Sequence, residues 1–126
     1  MAKEQYRGYR DLIVYQLTYN LALEIHEITK LFPKEEKYSL TDQIRRSSRS
    51  VPAIIAEAWK KRRYQKLFVA KIVDAAGEAG ETEVWLDFSK DLGYIDEATY
   101  RERTDRYEEV NKMLNSMIDK ADKFSP

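Results

Sequence analysis

Eight basic residues crowd into the middle of this 126-residue chain. Arg45, Arg46 and Arg49 fall within five positions, and Lys60, Lys61, Arg62, Arg63 and Lys66 fall within seven. Arginine's planar fork can make two parallel hydrogen bonds to a phosphate, so nucleic-acid binding is the first chemistry to weigh. Trp59 and Tyr64 stand among these cations and are available for stacking on bases. On a helix, Arg45 and Arg49 are one turn apart and share a face, while Arg46 points elsewhere. These eight residues are the candidate nucleic-acid-binding set.

Other chemistries lack their parts. His26 is the only histidine, and Leu23 stands three residues before it, so the Glu-x-x-His pairs of a di-iron bundle are absent. A packed or hydrogen-bonded histidine is the favoured reading of His26. Ser47, Ser48 and Ser50 have no local histidine or glycine-rich oxyanion loop. No phosphate-cradling glycine loop occurs. The carboxylates Glu78, Glu81, Glu83, Asp87 and Asp91 read as a solvated or partner-facing surface, because hard-cation sites usually draw on loop carbonyls as well. The expectation is therefore a protein that is not an enzyme and has no catalytic, metal or cofactor residues.

The net charge is zero, but its distribution is uneven. Residues 31–71 carry eleven basic and four acidic side chains, a net of +7. Residues 72–126 carry seven basic and fourteen acidic, a net of −7. Surfaces of opposite sign on one chain can satisfy each other within one bundle or between neighbouring copies, and head-to-tail contacts give a closed ring when the rotation closes. There is no cysteine, no signal-like start and no long apolar run, so a cytoplasmic protein without a membrane segment is expected.

Helical spacing dominates the elements that must position these groups. Val14, Leu17, Leu21, Ile25, Ile28 and Phe32 form one stripe, with Tyr15, Tyr19, Ala22 and His26 beside it. The resulting apolar face is wider than a monomeric bundle must bury. Phe32-Pro33 ends this first helix. Ser39, with Asp42 three residues on, resembles a capping box opening the second. Leu40, Ile44, Ser47, Val51, Ile54 and Ala58 keep their phase through Pro52, which implies one kinked helix, with a nearby serine bonding a freed or strained carbonyl. The third helix shows Phe68, Ile72, Ala75, Ala79, Thr82 and Leu86, with Trp85, Phe88 and Leu92 adjoining. Gly77 and Gly80 within it suggest close helix–helix contact. Gly93 is a natural helix terminator and Asp96 an N-cap for a fourth helix carrying Tyr100, Tyr107, Val110, Leu114, Met117 and Phe124. The fold expected is all-α: an antiparallel up-and-down four-helix bundle, helix two kinked at Pro52. One domain spans residues 1–126, with a short flexible N-terminus at about residues 1–8. Trp85, Leu21, Ile44 and Leu114 are expected in apolar contacts.

Several runs together carry a family likeness. They are LIVYQLTYNLALEIHEITKLFPKEEKYSL, QIRRSSRSVPAIIAEAW, an E-x-x-E-T-E-V-W-L-D-F segment and LGYID, in order from about Leu12 to Met117. The chain resembles the bacterial 23S rRNA intervening-sequence proteins. That resemblance implies an antiparallel four-helix bundle, often a ring-shaped homopentamer, with no established enzymatic activity. A structural relative, the accessory protein of diversity-generating retroelements, is a strongly basic pentamer that binds nucleic acid and a reverse transcriptase. By that likeness Arg45, Arg46 and Arg49 are the residues to test for RNA. Two positions depart from the family's habit: Ile54 stands where an asparagine is usual, and Ala58 where a glycine is usual. The partners expected are a second copy of the chain and either RNA or another protein.

Overall fold

The computed structural model describes residues 6–125, which form four α-helices joined by short turns. They are α1 (Ile13–Thr29), α2 (Leu40–Lys60), α3 (Gln65–Asp91) and α4 (Glu97–Asp119). Single 3₁₀ turns precede α1 at Tyr9–Asp11, lead into α2 at Lys34–Glu36 and follow α4 at Ala121–Lys123. Residues 1–5 of the expected flexible N-terminus lie outside the described residues. Tyr6, at its inner end, packs edge-on against Trp59.

Contacts at the helix ends fix the order of the bundle. At one end Tyr6, Trp59, Phe68 and Phe124 bring together the approach to α1, the end of α2, the start of α3 and the exit from α4. At the other, the Phe32 and Tyr94 rings meet at 5.3 Å, and the Tyr94 hydroxyl donates to Glu36 Oε2 at 2.9 Å. That alternation of ends is what an up-and-down order requires.

The core follows the three-and-four spacing. Leu21, Ile25, Ile44, Val51, Ile55, Phe68, Ile72, Leu86, Tyr107, Val110 and Leu114 are all buried. Trp85 lies partly buried against them. Two buried threonines on α1 join the core because each hydroxyl returns to its own helix: Thr18 to the carbonyl of Val14 at 2.8 Å, Thr29 to that of His26 at 2.9 Å. Between α2 and α3 the buried Thr82 hydroxyl donates to Ser47 Oγ at 2.8 Å.

The punctuation differs from the sequence reading in three places. Ser39 occupies the N-cap of α2 but caps nothing with its side chain. The carboxylate of Glu36 does that work, accepting from Ser39 Oγ at 2.6 Å and from the Leu40 amide at 3.3 Å. The bond from Ser39, then that from the Tyr94 hydroxyl and last that from the Leu40 amide, hold the Glu36 carboxyl below its ordinary range. The 3₁₀ turn brings Glu36 back over the helix start, which a Ser-x-x-Asp pattern cannot show. Second, α2 runs unbroken through the buried Pro52, but the three serines bond the carbonyls of Ile44, Arg45 and Arg46 rather than that of Ser48, which Pro52 leaves without its donor. Third, nothing among the described residues lies within 4 Å of where a Cβ would stand on Gly77 or Gly80, so neither permits a close contact between the four helices.

Two expected caps are in place. Asp96 accepts from the Thr99 amide at 2.7 Å. Gly93 takes the left-handed φ of +79°, with its amide on Lys90 and the Tyr94 amide on Ser89, which closes α3 in a Schellman motif.

Candidate nucleic-acid interface

The eight basic candidates separate into side chains spent on structure and side chains left to solvent. Arg45 and Arg49 lie one turn apart on the α1 side of α2. Arg45 Nε donates to Thr29 Oγ1 at 2.7 Å, and its Nη2 reaches the His26 carbonyl at 3.5 Å, so this guanidinium ties down the C-terminal turn of α1. Arg49 Nη2 sits 2.9 Å from His26 Nδ1. A guanidinium can only donate, so Nδ1 accepts and the imidazole's proton resides on Nε2. The partner of Arg49 is thus a neutral ring, which leaves the cation uncompensated. Arg46 projects away, its side chain 74% exposed and 4.0 Å from Asp42.

The second group surrounds the α2–α3 turn. Arg62 lies over the Trp59 ring at 3.9 Å from the centroid and donates to the Trp59 carbonyl at 2.9 Å, so it closes the end of α2. Lys61 stands 3.9 Å from Glu57. Lys60, Arg63 and Lys66 are exposed. From Arg49 to Lys60 is about 16 Å along the helix axis, so the two groups are separate patches. Trp59 is buried beneath Arg62 and Tyr6 and cannot stack on a base as its sequence position suggested; Tyr64 is exposed.

A groove of about 480 Å³ runs between α1 and α2, lined by Tyr15, Tyr19, Leu23, His26, Arg49 and Pro52, among others. Its tyrosines belong to a ladder: Tyr9 meets Tyr15 edge-on at 5.0 Å, and Tyr15 meets Tyr19 tilted by 32° at 5.9 Å. Arg10 lies over Tyr9 at 4.6 Å. Beyond the ladder a second cleft is lined by Arg10, Tyr15, Gln16, Tyr19 and Asn20. The sequence reading placed Tyr15 and Tyr19 in an apolar stripe and gave Arg10 no role. The four-residue step from Tyr15 to Tyr19, a width beyond what the core needs, was the signal available.

The acidic side of the molecule is bound up differently. Glu24 on α1 receives Arg106 Nη1 at 2.8 Å and lies 3.1 Å from Arg103 Nε, both on α4. The Arg106 hydrogen bond outweighs partial burial and holds the Glu24 carboxyl low. Glu83 on α3 takes one bond from Asn111 at 3.1 Å, yet burial pushes its carboxyl up. Asp87 accepts from the Tyr100 hydroxyl at 2.6 Å, a bond that raises this phenol to about 12. No cluster of three metal-ligating side chains occurs among the described residues. Along the outer face of α3 runs an apolar stripe of Val73, Val84, Phe88 and Leu92, each about half exposed, with Gly77 and Gly80 between them. No helix of the described residues is long and apolar enough to cross a membrane.

Among solved structures, the chain is similar to a protein of unknown function from the S23 ribosomal protein family of Bacteroides thetaiotaomicron. The two share 31% sequence identity and superpose with a TM-score of 0.77, covering 85% of this chain and 96% of the other. No curated protein matches it. Residues 10–116 match the 23S rRNA-intervening sequence protein family, a span that takes in all four helices to within a turn of the end of α4, and the chain belongs to that family.

Proposed function

We propose that this chain is a non-enzymatic, homo-oligomeric bundle that serves as a cytoplasmic binding scaffold, with RNA as the ligand of its basic surface. The observation that carries the assembly reading is the outer stripe of α3. Two glycines inside a helix each cost roughly 1 kcal/mol relative to alanine, and among the described residues nothing lies within 4 Å of where either would carry a Cβ. Flanked by half-exposed Val73, Val84, Phe88 and Leu92, they give a smooth apolar surface that a second subunit can cover. Asp74, Glu81, Asp87 and Asp91 border it and call for a partner surface of opposite sign. A ring of five is the size that the family likeness implies.

The RNA part rests on the exposed cations Arg46, Arg49, Lys60, Arg63 and Lys66, of which only Arg46 has a carboxylate within 4.0 Å among the described residues, at the limit of that distance. Native mass spectrometry of protein purified without nuclease tests both parts together. An oligomer carrying nucleotide mass is the expected result, and Phe88→Glu should dissociate it while leaving the fold intact. A wild-type monomer free of nucleotide would overturn the whole reading. A clean oligomer that captures a protein regardless of nuclease treatment would favour an adaptor, in which the α3 stripe meets a different protein.

A further inference from the structure

We propose that the groove between α1 and α2 takes an unpaired nucleotide, its base against Tyr15 and Tyr19 and its phosphate on Arg49; this rests on the RNA reading above. Shape, exposure and charge converge on the groove. Its walls offer what a base requires: the Tyr15 and Tyr19 rings with Leu23 on the α1 side, and Pro52 and Ala53 on the α2 side. Tyr19 is 47% exposed, so its ring is open to a stacking partner. Sequence-tolerant stacking on aromatic side chains, combined with a cationic rim, is the physical basis of single-strand binding.

The rim supplies the charge. Arg49 borders the groove, and no carboxylate lies within 4.0 Å of its guanidinium among the described residues; its one hydrogen-bond partner is the uncharged His26 ring. The same holds at the far end of the tyrosine ladder, where Arg10 rests on an aromatic face rather than on an acid. Carboxylates that could oppose a phosphate are engaged elsewhere: Glu24 by Arg103 and Arg106, Glu27 by Lys30, and Asp11 by the Arg7 amide. Beyond the rings, Asn20 and Gln16 supply amides able to meet base edges; Gln16 Nε2 donates to the Arg10 backbone carbonyl, and its own amide oxygen has no donor among the described residues. A paired base cannot enter such a concave site, so the groove selects single strands over duplex.

The test is fluorescence anisotropy with a short 5′-labelled oligoadenylate and its duplex with oligouridylate, across a series of salt concentrations. Wild-type protein should prefer the single strand. Tyr19→Ala, at an exposed position, should weaken single-strand binding by about 5- to 140-fold, the range set by stacking of one base. Arg49→Gln should flatten the dependence of log K on log salt by about 0.7, one phosphate contact. Tyr64→Ala, which probes the cation patch at the α2–α3 turn, should bind like wild type. Loss in Tyr64→Ala with Tyr19→Ala unaffected would overturn the groove and move the contact to that turn. If Tyr19→Ala changes the native mass of the assembly, the groove is a subunit contact and this proposal fails. If wild-type protein binds neither strand form at low salt, the RNA reading itself falls.

Discussion

Removing one oxygen atom from the centre of the bundle should make the protein more stable. Tyr107 is 0% exposed, and its hydroxyl has no hydrogen-bond partner within 3.5 Å among the described residues. Thr82 is its polar neighbour, and the single Thr82 proton is shared between Ser47 Oγ and the Glu78 carbonyl, so Thr82 offers the phenol only an oxygen lone pair, beyond hydrogen-bonding distance or angle. Burial accordingly pushes the Tyr107 phenol far above its ordinary range. In the unfolded chain this hydroxyl is bonded to water, and stripping it without replacement costs about 1–3 kcal/mol. Tyr107→Phe removes that cost and keeps the ring. Against it stand the contacts of one oxygen atom and a small void, worth about 1 kcal/mol or less. The net expectation is a gain of about 1 kcal/mol. Unfolding entropy near 2.1 cal/mol/K per residue makes that a rise in Tm of about 4 °C for a chain of this length. Thermal unfolding followed by circular dichroism, at one protein concentration because assembly couples to Tm, is the assay. A fall in Tm of similar size would show that the phenol is hydrogen-bonded in the folded protein, and the reasoning would be refuted.

Three other predictions follow from local geometry. Glu24, held low by Arg106, contributes stability that is present above the ordinary carboxyl value near 4.5 and lost as pH falls through the lower folded value; Glu83, pushed up by burial, penalises folding above its raised value and is neutral below 4.5. Glu24→Gln should therefore lower Tm at pH 7 and Glu83→Gln should raise it, both differences vanishing at acid pH; the same sign for the two variants would reject this. Gly93→Ala forces a Cβ into left-handed backbone and should cost about 1–2 kcal/mol in urea unfolding. Pro52→Ala restores a donor to the Ser48 carbonyl and should straighten α2, and a crystal structure of the variant with an unchanged helix axis would rule out the bend expected there.

Much of the fold was legible because one physical rule wrote it. A helix that must bury one face needs apolar residues every three or four positions, and Val14, Leu21, Ile25, Ile44, Val51, Phe68, Leu86 and Leu114 obey that rule wherever they fall in the chain. Gly93 and Asp96 were equally readable, since each acts through its own backbone conformation or its own side chain. Ser39 misled because its cap comes from Glu36, a residue whose reach depends on an intervening 3₁₀ turn. Thr18 and Thr29 escaped notice because a hydroxyl that bonds its own helix is apolar to its surroundings, and no periodicity in hydrophobicity records that.

The site was harder to read than the fold, for a reason visible in Arg45 and Arg49. They share a residue type, a helix and a face, so any rule based on sequence assigns them one role. What divides them is the end of α1. Arg45 meets the last carbonyl turn and the Thr29 hydroxyl, which engage two of its donors and hold the side chain half-buried between two helices, whereas Arg49 is exposed. One turn further along, Arg49 meets an imidazole, which accepts one hydrogen bond but returns no negative charge. A cation paired with a neutral acceptor is oriented without being neutralised. That state favours a phosphate, because the side chain is already placed and its charge is still available. The same distinction separates Arg62, closed over Trp59, from Arg63 one residue on. Counting basic residues measured the supply of cations in this chain; what each can do was settled by the uncharged groups beside it.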